Sequence, residues 1–182
     1  MQKTSTSLPN VFIINPTVKS NNLGAFVETY HIESFSNQSI FTRFVQDSHR
    51  QLNPNVLEGL QLQVSPKAQA RLLRVIQGTA FIVAADVNPN SSTYRQWTAV
   101  QLTENQPQMF YIGDQYAHGI YALNGTAGII DKRSNTDTPE HKHIIRWNDP
   151  ELNITWPLNE QDPILSKDDL NAPLLKDTNI EF

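Results

Sequence analysis

This sequence predicts an all-β fold, an antiparallel sandwich or barrel, from two features. Short apolar or alternating runs recur at regular spacing along most of the chain. Turn-forming clusters of Asn, Pro, Gly and Ser separate them.

The elements follow in chain order. Val11 to Ile14 is an apolar run closed by Asn15-Pro16, and Gly24 to Tyr30 reads as a second strand. Ile40 to His49 contains a third, followed by Val56 to Gln63. Arg71 to Ile76 alternates, with Arg71, Leu73 and Val75 on one face and Leu72, Arg74 and Ile76 on the other. Gln77-Gly78-Thr79 is then a turn and Ala80 to Val87 the returning strand, a hairpin that belongs in the core. Asn88 to Ser92 is a loop. Trp97 to Leu102 and Met109 to Ile112 are strands, and Ile120 to Leu123 and Ala127 to Lys132 flank the turn Asn124-Gly125-Thr126. Beyond Asn135 the composition shifts to Pro, Asp and Asn, which predicts an irregular C-terminal arm. Within it Ser166 is placed to cap one short helix ending at Leu170.

Composition narrows the function. The 182 residues fit one domain spanning 1–182, with no linker or internal repeat. Hydrophobic residues at 38% and charged residues at 18% suit a globular chain. A net charge of −4 argues against nucleic acid or an anionic membrane as partner, because both select basic patches. With no cysteine, disulfides, a thiol nucleophile and thiolate metal sites are excluded. The polar start MQKTSTSLPN and the lack of a long apolar run lead to the expectation of a soluble, cytoplasmic protein.

Several segments carry a family resemblance. They are Gly24 to Tyr30, Phe44 to His49, Val56 to Gln61, Ala117-His118-Gly119, Ile145 to Pro150, Ile154 to Pro157 and Leu165 to Leu175. In this order they resemble the dTDP-4-keto-6-deoxyhexose 3,5-epimerases of the rhamnose pathway, across most of the chain. The resemblance implies a cupin jelly-roll barrel and a homodimer built by exchanging strands. It also implies a small-molecule ligand and chemistry without metal or cofactor.

That chemistry removes protons beside a C4 ketone, so it needs a base, an enolate stabiliser and an acid on the opposite ring face. The family's base is the His of an Arg-Gly-Leu-His run, held by an Asp; here the run is Glu58-Gly59-Leu60-Gln61, and the Asp matches Asp169. Glutamine has no useful basicity. The family's Lys corresponds to Arg71, which stays charged and still stabilises an oxyanion. Its acidic Tyr corresponds to Asp131, its phosphate-binding arginines to Leu23 and Glu58, and its nucleotide-stacking aromatic falls in Asn135 to Thr138.

These changes remove positive charge from the pocket. One charge pair at about 4 Å is worth around 4 kcal/mol at an effective dielectric of about 20. The expectation is therefore a repurposed cavity, acting by isomerisation, cyclisation or dehydration on a small molecule other than a dTDP-sugar. Glu58, His118, Asp131 and Asp169 are the acid/base candidates and Arg71 the anion stabiliser, while Gln61, Glu28 and Gln46 line or support the binding site. Each has an alternative. Glu58 and Asp131 face solvent or pair with Arg71, Arg74 or Arg133; Asp169 is held by backbone N–H groups at a helix start; His118 is a hydrogen-bonded barrel residue; Glu28, Gln46 and Asp47 are structural. His141-x-His143 has the spacing of a metal pair but lies in the polar arm, so no metal is expected. Two further readings are a catalytically inactive paralogue that binds a ligand or partner, and a genuine 3,5-epimerase. An open polar cavity favours an enzyme, and a filled one ends that idea.

Overall fold

The computed structural model describes residues 1–158 and 161–182. The strands are β1 Gln2–Ser5, β2 Val11–Asn15, β3 Val18–Asn21, β4 Gly24–Val27, β5 Gln46–Leu52, β6 Leu57–Gln63, β7 Arg71–Gln77, β8 Thr79–Asp86, β9 Trp97–Thr103, β10 Met109–Ile112, β11 Tyr116–Ala122, β12 Ala127–Arg133 and β13 Lys142–Ile144. Two short helices, α1 Ile32–Ser36 and α2 Lys167–Leu170, complete the set. One sheet runs β1-β2-β10-β7-β12-β5 and the other β13-β6-β11-β8-β9, with β3 and β4 forming a separate ribbon. The paired strands are antiparallel, giving a jelly-roll sandwich.

Period-2 alternation decides what each face meets. Leu73 and Val75 of β7, Phe110 and Ile112 of β10, Ile129 of β12, Ile82 and Ala84 of β8 and Ile120 of β11 form the core between the sheets. The opposite face of the five-stranded sheet is also apolar. Leu57, Leu60 and Leu62, with Val83, Ala85, Ala117 and Tyr121, lie under Ile145, Leu152, Trp156 and Leu175 of the C-terminal arm. That arm is irregular but firmly tied. Buried Asp149 accepts from the backbone N–H groups of Glu151, Leu152 and Leu175, and Trp156 Nε1 donates to the Trp147 carbonyl at 2.9 Å. Trp147 and Trp156 are therefore packing residues.

The hairpin expected over Arg71 to Val87 is not a hairpin. β7 pairs with β10 and β12, whereas β8 pairs with β11 and β9, so Gly78 carries the chain from one sheet to the other. Asn124-Gly125-Thr126 does the same between β11 and β12. Both flanking strands of each turn are buried and alternating, and alternation alone does not say which sheet a strand joins. The corners abut: Gly78 has φ +69°, and a Cβ there would sit 2.1 Å from the Thr126 carbonyl oxygen. The strand expected over Gly24 to Tyr30 ends at Val27, and the strand in Ile40 to His49 begins at Gln46 and runs on to Leu52. The strands β1, β3 and β13 had no clear apolar signal, being short, with β1 and β3 mostly exposed and β13 half-buried. The helix capped by Ser166 forms, with Ser166 Oγ accepting from Asp169 N.

The inward stripe of each strand changes character part-way along. On β12 it reads Ala127, Ile129, Asp131, Arg133; on β7 it reads Val75, Leu73, Arg71; on β5 it includes Leu52 and Arg50. On the facing sheet Ala122 and Ile120 give way to His118 on β11. One end of the sandwich is thus closed by hydrocarbon, and the other is lined with charge.

Candidate active site

At the charged end lies an open cavity of about 340 Å³, within the usual range for small-molecule sites. Its walls include Arg50 of β5, Glu58, Gln61 and Gln63 of β6, Arg71 of β7, Arg133 of β12, Lys142 of β13 and Asp169 of α2. The cavity is polar and open, the condition that favours an enzyme.

Asp131 organises its floor. The side chain is fully buried, and its Oδ2 accepts from Arg50 Nη2 at 2.9 Å, Arg71 Nη1 at 2.5 Å and Arg133 Nε at 2.9 Å. Arg50 also pairs with Glu58, and Arg133 with Asp137. Three guanidiniums therefore interlock with three carboxylates. Arg71 is the deepest of the three. Burial lowers its pKa to about 10, against the opposing pull of Asp131, and it remains charged at neutral pH. For Asp137, burial pushes the pKa upward, but Arg133, Gln69 and Arg71 outweigh it and hold the carboxyl below its ordinary value.

Gln61 faces His118 directly across β6 and β11. Between these strands the register shifts at Gly59, whose φ is +106°. A Cβ there would lie 2.6 Å from the His118 carbonyl oxygen, so only glycine fits. This bulge sets Glu58 and Gln61 on the cavity wall together. The Gly59 N–H donates to Asp169 Oδ1 at 3.0 Å, and Ser166 Oγ donates to Asp169 Oδ2 at 2.6 Å. Asp169 thus clamps α2 to the bulge, with both carboxylate oxygens engaged.

His118 is 3% exposed, and its Nε2 has no hydrogen-bond partner among the described residues. Burial, reinforced by Arg71, Arg50, Arg133 and Lys142, drives its pKa well below 6.5 and keeps the imidazole neutral.

The structure brings Glu58, Gln61, Arg71, Asp131, Asp169 and His118 to one end of the sandwich. Gln46 supports this end by accepting from the Asp137 N–H at 3.1 Å. Glu28 lies elsewhere, in a smaller hollow with Lys19, Phe26 and His31. Sequence reasoning overlooked Lys142 of the cavity wall and, with more consequence, Arg50. Alternation along β5 puts it inward beside Leu52, but the stretch compared with the family stopped at His49. Arg74, offered as a partner for the acids, bonds neither of them. Among the described residues no group of three His, Asp or Glu side chains is placed to hold a metal ion, and His143 sits on edge strand β13. No described helix is long and apolar enough to cross a membrane.

Known proteins supply the comparison that geometry cannot. The family described as dTDP-4-dehydrorhamnose 3,5-epimerase matches residues 5–177. A protein of that name from Methanothermobacter thermautotrophicus is 37% identical over 96% of this chain and 95% of its own length. The crystal structure of the Elizabethkingia anophelis dTDP-4-dehydrorhamnose 3,5-epimerase superimposes with a TM-score of 0.93 at 35% identity, covering 98% of each chain. The Legionella pneumophila dTDP-6-deoxy-D-glucose-3,5-epimerase, solved with dTDP-4-keto-L-rhamnose, gives 0.92 at 34% identity over 98% of this chain and 94% of its own.

These similarities overturn the expectation of a cavity repurposed for a different small molecule, since relatives this close over nearly the whole chain carry the epimerase name. Glu58 and Asp131, bare negative charges in a count of the sequence, are both paired with arginines in direct contact.

His118 yields a measurable consequence. Its folded pKa is depressed, so between pH 6.5 and that lower value the unfolded chain binds a proton that the folded chain does not. Its contribution to stability is complete above pH 6.5 and falls by about 1.4 kcal/mol per pH unit as the solution is acidified below it. Urea unfolding of wild type and His118→Asn at pH 7 and pH 5.5 should show a steeper acid loss in wild type; equal losses would refute the assignment.

A Cys-free cupin sandwich with this arginine-lined cavity, matched from end to end by these relatives, belongs to the dTDP-4-dehydrorhamnose 3,5-epimerase family.

Proposed function

We propose that this chain is a 3,5-epimerase acting on a dTDP-linked 4-keto-6-deoxyhexose. The observation that carries the reading is the open cavity with Arg71 on its inner wall, in a chain 37% identical to a protein of that activity. The C4 ketone makes the protons on C3 and C5 acidic, and deprotonation places negative charge on the ketone oxygen. A buried guanidinium is suited to that charge, because it stays protonated and acts in a water-poor setting. Asp131 fixes the position of Arg71 instead of reacting itself. Arg50 and Lys142, nearer the mouth, supply cations for the diphosphate. The reaction then needs only proton transfer and oxyanion stabilisation. On this reading the 182 residues work as one catalytic domain in cytoplasmic sugar biosynthesis.

Incubation with dTDP-4-keto-6-deoxyglucose, followed by NMR, should reveal inversion at C3 and C5. Binding of the nucleotide sugar without inversion would refute the epimerase and return the inactive-paralogue reading.

We also propose that the chain is a homodimer. The β3–β4 ribbon leaves Val18, Leu23 and Phe26 exposed, at 43%, 89% and 61%. A two-stranded ribbon alone is marginally stable in water, and a second copy that adds strands to it would cover these side chains. Sedimentation equilibrium at micromolar concentration should return twice the mass of 20.6 kDa, and Phe26→Glu should shift it toward the monomer. A monomeric wild type would refute the dimer.

A further inference from the structure

An epimerase with glutamine where the family has its basic imidazole still needs a proton acceptor. We infer that Glu58 is the base that removes the proton from the sugar in this chain. The inference rests on the epimerase reading, and its ground is geometric.

Glu58 lies on the cavity wall, across β6 and β11 from Ile120, an inward-facing core residue, and next to Gln61 across the Gly59 bulge. Its side chain is 27% exposed, open to a ligand without being bathed in solvent. Among the described residues only Oε2 is engaged, by Arg50. The other acids and the imidazole of the site are less suitable. Asp131 is fully buried beneath three guanidiniums. Asp169 has one oxygen on the Gly59 N–H and the other on Ser166 Oγ. Asp137 is held by Arg133 and Gln69. Asp168 stands exposed on α2 at the rim.

His118 is inside, but protonating it would add a further positive charge beside Arg50, Arg71, Arg133 and Lys142. It serves instead as a neutral hydrogen-bonding group. A carboxylate base working beside a neutral imidazole is an established division of labour in enolate chemistry.

The step balances. Glu58 takes the proton from carbon, and the C–H electron pair forms the enolate, whose oxygen rests against Arg71. Water entering by the open mouth delivers a proton to the opposite face of the carbon. The hydroxide so formed recovers the proton from Glu58. Each inversion therefore carries solvent hydrogen onto carbon.

The test is exchange in D₂O with dTDP-4-keto-6-deoxyglucose, comparing wild type, Glu58→Gln and Glu58→Ala, with dTDP affinity and melting temperature as controls. Glu58→Gln should exchange C–H for C–D about 10²–10⁴-fold more slowly, with dTDP affinity undiminished. Added formate should restore exchange to Glu58→Ala, which loss of a purely structural contact would not allow. Exchange by Glu58→Gln at the wild-type rate would overturn the role of Glu58 alone. No exchange by the wild type would overturn the epimerase reading on which it stands.

Discussion

One buried carboxylate sets the geometry of the whole charged end of this protein. Asp131 holds Arg50, Arg71 and Arg133 at once, from β5, β7 and the strand β12 on which it sits. Burying a charge costs several kcal/mol, and a pair recovers that only when well placed and hydrogen-bonded. Here the cost is shared. Glu58 and Asp137 extend the ring outward, so each of the three arginines has a carboxylate beside it. Removing Asp131 would leave these cations facing one another without their shared counter-charge.

The fold supplies the setting for that ring. Three strands of one sheet end their inward stripes in charge, and the facing sheet answers with Gln61 and His118. Hydrocarbon at the other end of the sandwich excludes water from beneath the ring and raises the strength of every charge interaction in it. The Gly59 bulge ties the sheet to α2 through Asp169, both of whose carboxylate oxygens are engaged.

Much of this was legible in the sequence. Alternation placed Arg71 with Leu73 and Val75, and the resemblance drew Glu58, Gln61, His118, Asp131 and Asp169 into one site. Two things were not legible. Which sheet a strand joins depends on where its turn sends it, so the turn at Gly78 read as a hairpin turn. Ion pairing depends on contacts between strands far apart in sequence: Arg50 and Asp131 are separated by 81 residues, and a charge count without that contact leaves the acid unpaired. Reading the inward face of β5 through to Leu52 would have exposed Arg50.

The proposed activity requires arginines to neutralise the acidic residues of the cavity enough for a nucleotide diphosphate to enter. Calorimetric titration of dTDP into wild type and Arg50→Ala tests it most directly. Saturable binding at one site per chain is expected, weakened about tenfold or more when Arg50 is removed and Glu58 is left bare, a change of about 1.4 kcal/mol. Absence of binding at millimolar dTDP, or equal affinity in the two proteins, would contradict it.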